Sequence, residues 1–429
     1  MFDTGNWDWD VGRRKVADLD GWRNTFEAVE EPQASPDGEK LAAVVQTDEA
    51  EFSVCEAVNG GEAETWEGPF DKVCRLRYSP DGRLTAQISD TGEWTVGVDG
   101  ELWEERFDFL WDCRFSGNGE KIVACAQLER EYFAVVDGVP WANKFPNLAN
   151  VAVSADGASV AGAVQTVPLK EGEIEKFQAG CYSAAVDGKA WDRNFVNVWD
   201  VAFSDDGSRL AAEVRTSLYD YTIAVDGVQW NETFSSVWKP VFEPGSNRVT
   251  APVKIGSEWF LACDGKKLWE KGYAQLWHHG FSPDGRRIAA IVAPRYGRWT
   301  VAVDGVPWYV TFDEMVTDLT FSPDGSRVGC LGKEGGRWKV VVDGEPWPGS
   351  WEMAWKPVFS PDGRHVAARV KDKGKYVMVV DGKPLGCGCA QLWDPIFNDD
   401  GKRLLLRMAG TAKEAGKYFR QVLDVGNLG

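Results

Sequence analysis

Short apolar runs of four to eight residues recur along the chain, and nearly all are bounded by Asp-Gly or Ser-x-Asp-Gly phrases. The fifth unit shows the pattern. VWDVAFS (198–204) leads into the turn DDG; SRLAAEVR (208–215), YTIAVDG (221–227) and VQWNETF (228–234) follow. Runs of this length, rich in Val, Phe, Trp and Ala, predict β-strands. Asp-Gly suits the hairpins between them, because Gly accepts positive φ and Asp tolerates it. No long stretch carries a helical period.

The phrases count the units. Ser-x-Asp-Gly ends at Gly38, Gly82, Gly157, Gly207, Gly285, Gly325 and Gly363, with altered copies at Gly119 (SGNG), Gly401 (NDDG) and 243–246 (EPGS). Apolar-Asp-Gly ends at Gly100, Gly138, Gly188, Gly227, Gly265, Gly305, Gly344 and Gly382, with worn forms at 58–61 and 423–426. Ten units result, mostly 37–40 residues apart, and an insertion at 166–179 (TVPLKEGEIEKFQA) lengthens the fourth. Ten four-stranded units predict an all-β fold, a single β-propeller domain over 1–429. One ring of ten is the leading arrangement and two five-bladed rings the alternative. The last unit lacks a fourth strand. LDGW at 19–22, followed by RNTF, matches the start of one, so the N-terminal segment is expected to complete the tenth blade and cover its edge.

The Ser-Pro-Asp-Gly turns, as in FSPDGSRVGCL at 321–331, resemble those of TolB-type and WD-repeat-like propellers. That resemblance covers nearly the whole chain and speaks to fold, not function.

Three tryptophan series run through the repeats. The first follows the apolar-Asp-Gly turn: Trp103, Trp141, Trp191, Trp230, Trp308 and Trp347, with Trp269 shifted by one. The second opens the third strand: Trp94, Trp259, Trp299 and Trp338, with Tyr132, Tyr182, Tyr221 and Tyr376 as substitutes. The third opens the first strand four residues before a Phe: Trp111, Trp199, Trp238, Trp277, Trp355 and Trp393. Alternation puts Trp299, Val301 and Val303 on one face, and Trp111, Cys113 and Phe115 on one face. The first two series are read as wedges between blades. Packing is also the leading reading of the third. By analogy with other propellers, however, these six could form an aromatic collar at the channel mouth, where they could contact a ligand or partner. The insertion, with Glu171 and Glu173, is expected on the same rim as a partner contact.

Composition narrows the function classes. The 429 residues carry a net charge of −19, and residues 1–70 hold 17 Asp/Glu against five Lys/Arg. Nucleic acid, which needs clustered cations, is disfavoured as a partner. The acidic segment is a solvated face or a docking patch for a basic partner. No apolar stretch is long enough for a spanning helix, and the N-terminus lacks the pattern of a secretory signal. Nine scattered Cys do not form a disulfide framework, so a cytoplasmic protein with reduced thiols is expected. Enzyme signatures are thin: no G-x-S-x-G elbow, P-loop, CxxC or HExxH occurs. His278 and His279 should point to opposite strand faces. Cys387 and Cys389 could give a soft metal two ligands, short of a site. No enzyme, cofactor or metal site is expected, although a hydrolase with two carboxylates converging in the channel stays open.

With 22 Trp, the opening NWDWD (6–10) and the repeated VDGxxW phrases, the chain resembles the TmcD family. These are the tryptophan-rich subunits of the transmembrane tetrahaem-cytochrome redox complex of sulfate-reducing bacteria. The resemblance implies an accessory subunit on the inner face of the cytoplasmic membrane, held there by iron–sulfur and haem-bearing partner subunits. The chain has no haem-attachment CxxCH and no iron–sulfur cysteine set, so in such an assembly it would be a cofactor-free scaffold in sulfate respiration. The alternative is a free-standing propeller that binds a glycan or peptide at the aromatic mouth.

Overall fold

The computed structural model describes residues 4–428, apart from the side chain of Cys387. Ten four-stranded antiparallel sheets are arranged as a ten-bladed β-propeller. Blades 1 to 9 span residues 28–65, 72–102, 109–140, 147–190, 197–229, 236–267, 275–307, 315–346 and 353–389; blade 10 joins 391–424 to 12–18. By contacts the chain divides into two compact units, 1–106 with 314–429, and 107–313. The first holds blades 1, 2, 8, 9 and 10, the second blades 3 to 7. This division does not follow chain order, as two successive five-bladed rings would.

The repeated turns are built by their own side chains. In the Ser-x-Asp-Gly turn of blade 5, the Ser204 hydroxyl donates to Asp206 Oδ1 (2.6 Å). The same carboxylate oxygen accepts from the Ser208 amide, and Ser204 Oγ accepts from the Arg209 amide (3.1 Å). In the apolar-Asp-Gly turn, Asp226 lies at φ 50° and Gly227 at φ 82°, the pair of left-handed residues that a type I′ hairpin requires. Asp226 Oδ1 accepts from the Leu210 amide at 2.9 Å, tying the outer hairpin to the start of the second strand. The same bond recurs at Asp99, Asp137, Asp187, Asp264, Asp304, Asp343 and Asp381. Asp is therefore used for its carboxylate as well as for its tolerance of positive φ.

The first strands are less regular than alternation predicts. In blade 3 the register slips between Trp111 and Arg114, and Asp112 sits at φ 50°. This is a β-bulge, which inserts a residue and resets the faces. Cys113 is buried while Trp111 and Phe115 are half-buried, so these three do not share a simple face as expected. Blades 6, 9 and 10 carry Pro two residues after the Trp (Pro240, Pro357, Pro395). Proline removes a ladder donor and restrains the residue before it. There the first strand splits in two, as at Ser236–Val237 and Val241–Phe242.

An N-terminal strand completes blade 10, but not the segment expected. Gly12–Asp18 pairs antiparallel with Lys417–Asp424, whereas Leu19–Thr25 is a short helix. Asp18 caps it by accepting from the Gly21 amide (3.3 Å), and Leu19 and Trp22, three apart on one helical face, are buried. The Asp-Gly-Trp phrase thus starts a helix here, not a strand. Upstream, Trp7 and Trp9 pack on Ile396, Leu405 and Val422 of blade 10. Among the described residues no helix is long and apolar enough to cross a membrane.

Candidate functional site

The first tryptophan series explains the repeated VDGxxW phrase. An added Cβ on Gly188 would lie 3.2 Å from Trp141, on Gly227 3.5 Å from Trp191, on Gly265 3.6 Å from Trp230 and on Gly305 3.5 Å from Trp269. Each Trp therefore rests on the turn glycine of the following blade, and each turn needs Gly for its φ and for this close approach. Blade 1 contributes Trp66, which lies against Gly97 and Gly100 of blade 2. Sequence reasoning missed Trp66 because its turn, VNGG, is degraded.

The six third-series tryptophans are all partnered within their own blades. Each pairs with the aromatic that opens the third strand of its own blade. Trp277 stacks on Trp299 (ring centroids 5.1 Å apart), Trp238 on Trp259 (5.4 Å) and Trp199 on Tyr221 (5.9 Å). Trp111 and Trp393 meet Tyr132 and Tyr418 edge to face, and Trp355 is tilted against Tyr376. Such pairs add about 0.5–1.5 kcal/mol each beyond the area they bury. Trp238 is 41% exposed; the other five are half-buried.

In the unit of blades 3 to 7, antiparallel order brings the connection from second to third strand to the same end of each blade as the start of the first strand. The insertion lies in that connection of blade 4. It is not all loop, since Ile174–Ala179 forms a helix. Glu173 accepts from the Lys170 amide (2.8 Å) and pairs with Lys176 (2.6 Å), which holds its carboxyl below the usual range. Glu171 is exposed. The same end exposes Ile174, Leu218, Tyr219, Trp238 and Tyr296, with Tyr219 77% and Tyr296 82% accessible. After the Asp-Gly turns that start from the opposite end, the exposed apolar groups are Val139, Val228, Leu268, Val306 and Tyr309.

A cavity of about 760 Å³ opens in the other unit, against the first strands of blades 8, 9 and 10 and the edge of blade 1. Trp393 lines it, alone among the six third-series tryptophans, together with Lys356, Arg369, Gln391 and Arg407.

The remaining polar groups are mostly structural. His278 is exposed, while His279 is buried against the Thr250 hydroxyl (2.9 Å). The two do face opposite ways. Burial lowers the His279 pKa to about 4. His365 pairs with Asp381 (2.7 Å) in a turn. Burial pushes the thiols of Cys55 and Cys125 up to about 12 and that of Cys389 up to about 11, so they are poor nucleophiles. The side chain of Cys387 lies outside the described residues. Among the described residues no group of three or more His, Cys, Asp or Glu is placed to hold a metal ion.

No protein-family model matches the chain, and no curated protein matches it. The resemblance to the TmcD family therefore rests on sequence features alone. Among solved structures, one described as the crystal structure of the eukaryotic initiation factor is 12% identical over 90% of this chain and 98% of its own, with a TM-score of 0.50. The Dos1 propeller is 10% identical over 88% of this chain and 95% of its own, with a TM-score of 0.38. At 12% identity the likeness to the initiation factor is one of fold alone.

Proposed function

We propose that the protein is a non-catalytic, cofactor-free scaffold that docks onto protein subunits of a membrane-bound electron-transfer complex. The observation that carries docking is the aromatic and aliphatic set at one end of blades 4 to 7: Ile174, Leu218, Tyr219, Trp238 and Tyr296. Exposed Tyr and Trp concentrate binding energy when a partner covers them. Glu171 on the insertion adds charge to the same end. The choice of partner, haem-bearing and iron–sulfur subunits at the inner face of the cytoplasmic membrane, follows from the resemblance to the TmcD family. Affinity purification of the tagged chain from native membranes tests both parts. Co-purification with such subunits, weakened at least tenfold by Tyr219→Ala with Tyr296→Ala, is expected. Recovery only as a lone monomer would sink the reading.

A second reading, a glycan or peptide held at the aromatic mouth, is favoured by the exposure of Trp238. Binding left unchanged after Trp199, Trp238 and Trp277 are replaced by Ala would remove it.

A further inference from the structure

The cavity in the unit of blades 1, 2, 8, 9 and 10 has an unusual lining. Arg369 and Arg407 occupy the same place in the second strands of blades 9 and 10, each accepting at its carbonyl from the first-strand Trp amide (Trp355 and Trp393, 3.0 and 3.1 Å). Both reach forward to the next first strand. Arg407 donates to the Ser35 carbonyl (2.9 Å) and the Asp394 carbonyl (2.8 Å). Arg369 donates to the Leu392 carbonyl (2.5 Å), pairs with Asp394 Oδ1 (3.2 Å) and lies 4.3 Å from the Trp355 ring centroid.

Their charge is incompletely answered. Arg407 is 7% exposed, and the oxygens it reaches are neutral carbonyls. The Nε–H of each arginine is buried without an acceptor among the described residues. A buried guanidinium short of a counter-anion is costly, and burial accordingly lowers the Arg407 pKa. Lys356 adds a third cation to the lining. Of the two carboxylates there, Asp394 pairs with Arg369 and Asp399 accepts from the Thr4 hydroxyl, so three cations of the lining face two anions. Beside these cations the wall is apolar and aromatic, with Trp393, Phe321 and Phe359. A cavity of about 760 Å³ falls within the range of small-molecule sites.

We propose that this cavity binds a small organic anion, a carboxylate or phosphate head on a planar apolar body. The head meets the guanidinium groups of Arg369 and Arg407 where they line the cavity and the Lys356 ammonium, and the body lies along Trp393. The site is separate from the docking end of blades 4 to 7, and its test does not depend on that reading. The full chain is titrated with a nucleoside monophosphate, an aromatic carboxylate and inorganic phosphate, read by calorimetry and tryptophan fluorescence. Saturable binding of either organic anion is expected, near one per chain, with inorganic phosphate at least tenfold weaker. Preference for the nucleotide or for the carboxylate identifies the head group. Arg407→Gln should weaken binding at least a hundredfold. Because Arg407 also ties blade 10 to blade 1, Lys356→Gln, at an exposed position, serves as the second variant and should weaken binding three- to tenfold. No saturable binding of any probe up to millimolar concentration, or binding that a folded Lys356→Gln protein retains unchanged, would overturn the proposal.

Discussion

Glu213→Gln probes a carboxyl buried between blades. Glu213 lies in the second strand of blade 5, opposite Ile223. Ala211 and Ile223 on that side pack with Val237, Phe242, Ala251 and Val253 of blade 6, and alternation puts Glu213 on the face of Ala211. It is 7% exposed. Burial, with Asp200 adding repulsion, raises its pKa from the ordinary 4.5 to about 8. Between those values the folded protein holds a proton that the unfolded chain has released. Stability therefore falls as pH rises through that window, by ~1.4 kcal/mol per pH unit. The penalty is absent below pH 4.5 and complete above about pH 8, reaching roughly 4–5 kcal/mol as an upper bound. Gln keeps the shape and cannot ionise. With about 1 °C per kcal/mol for a chain of this length, the variant should melt about 4 °C above the parent at pH 9 and within about 1 °C of it at pH 5. Scanning calorimetry of the transition that contains blade 5 reads this directly. An equal offset at both pH values, or a variant no more stable than the parent at pH 9, would refute a proton-holding carboxyl.

Three further outcomes follow from the repeat. Asp226→Ala loses the acceptor for the Leu210 amide and leaves Ala at φ 50°, so urea denaturation should show a loss of about 2–3 kcal/mol, and Asp226→Asn under about 1 kcal/mol. Gly97→Ala would place a Cβ 2.6 Å from the Trp66 ring; the overpacked joint between blades 1 and 2 should cost about 1–3 kcal/mol, and an unchanged denaturation midpoint would contradict the joint. A double-mutant cycle on Trp277 and Trp299 should give a coupling of about 0.5–1.5 kcal/mol, and zero coupling would mean that Trp277 stands free.

The blade count and the turns could be read from the chain because each depends on local chemistry. Asp-Gly selects the hairpin, and its recurrence, eight times intact and twice worn, selects the repeat. The closing strand was harder. Gly12–Asp18, GRRKVAD, carries four polar or charged side chains and one Gly, since an outer strand needs only one apolar face. LDGW imitates the turn phrase more closely, yet Asp18 just before it offers a helix cap. The spacing shows that the third tryptophan series belongs to the first strands, but its partners were not evident. Trp277 and Trp299 are separated by a whole strand, and only side chains leaning over that strand bring the rings together. The candidate cavity was not legible at all. Arg369 and Arg407 stand in segments that read as ordinary second strands, AARVK and LLRMA, and which residues lie beside them depends on neighbouring blades.

Comparison between blades nevertheless isolates the informative position. The second-strand residue across from the first-strand Trp site is Val44, Gln87, Cys125, Ala163, Glu213, Pro252, Ile291, Leu331, Arg369 or Arg407 in blades 1 to 10. Six of the ten are apolar, so the fold accepts an uncharged residue there. An ionised side chain at this place must be desolvated, and apolar replacement of buried charge is often neutral or stabilising by about 1–4 kcal/mol. Stability alone therefore does not account for Glu213, Arg369 and Arg407. Glu213 can escape the cost by holding a proton. An arginine cannot, because its pKa is too high for neutralisation near pH 7. The remaining way to offset the buried Arg407 guanidinium and the half-buried Arg369 beside it is an anion, and among the described residues Asp394 is the one carboxylate within salt-bridge reach of either. The cavity beside them is where a second anion would enter.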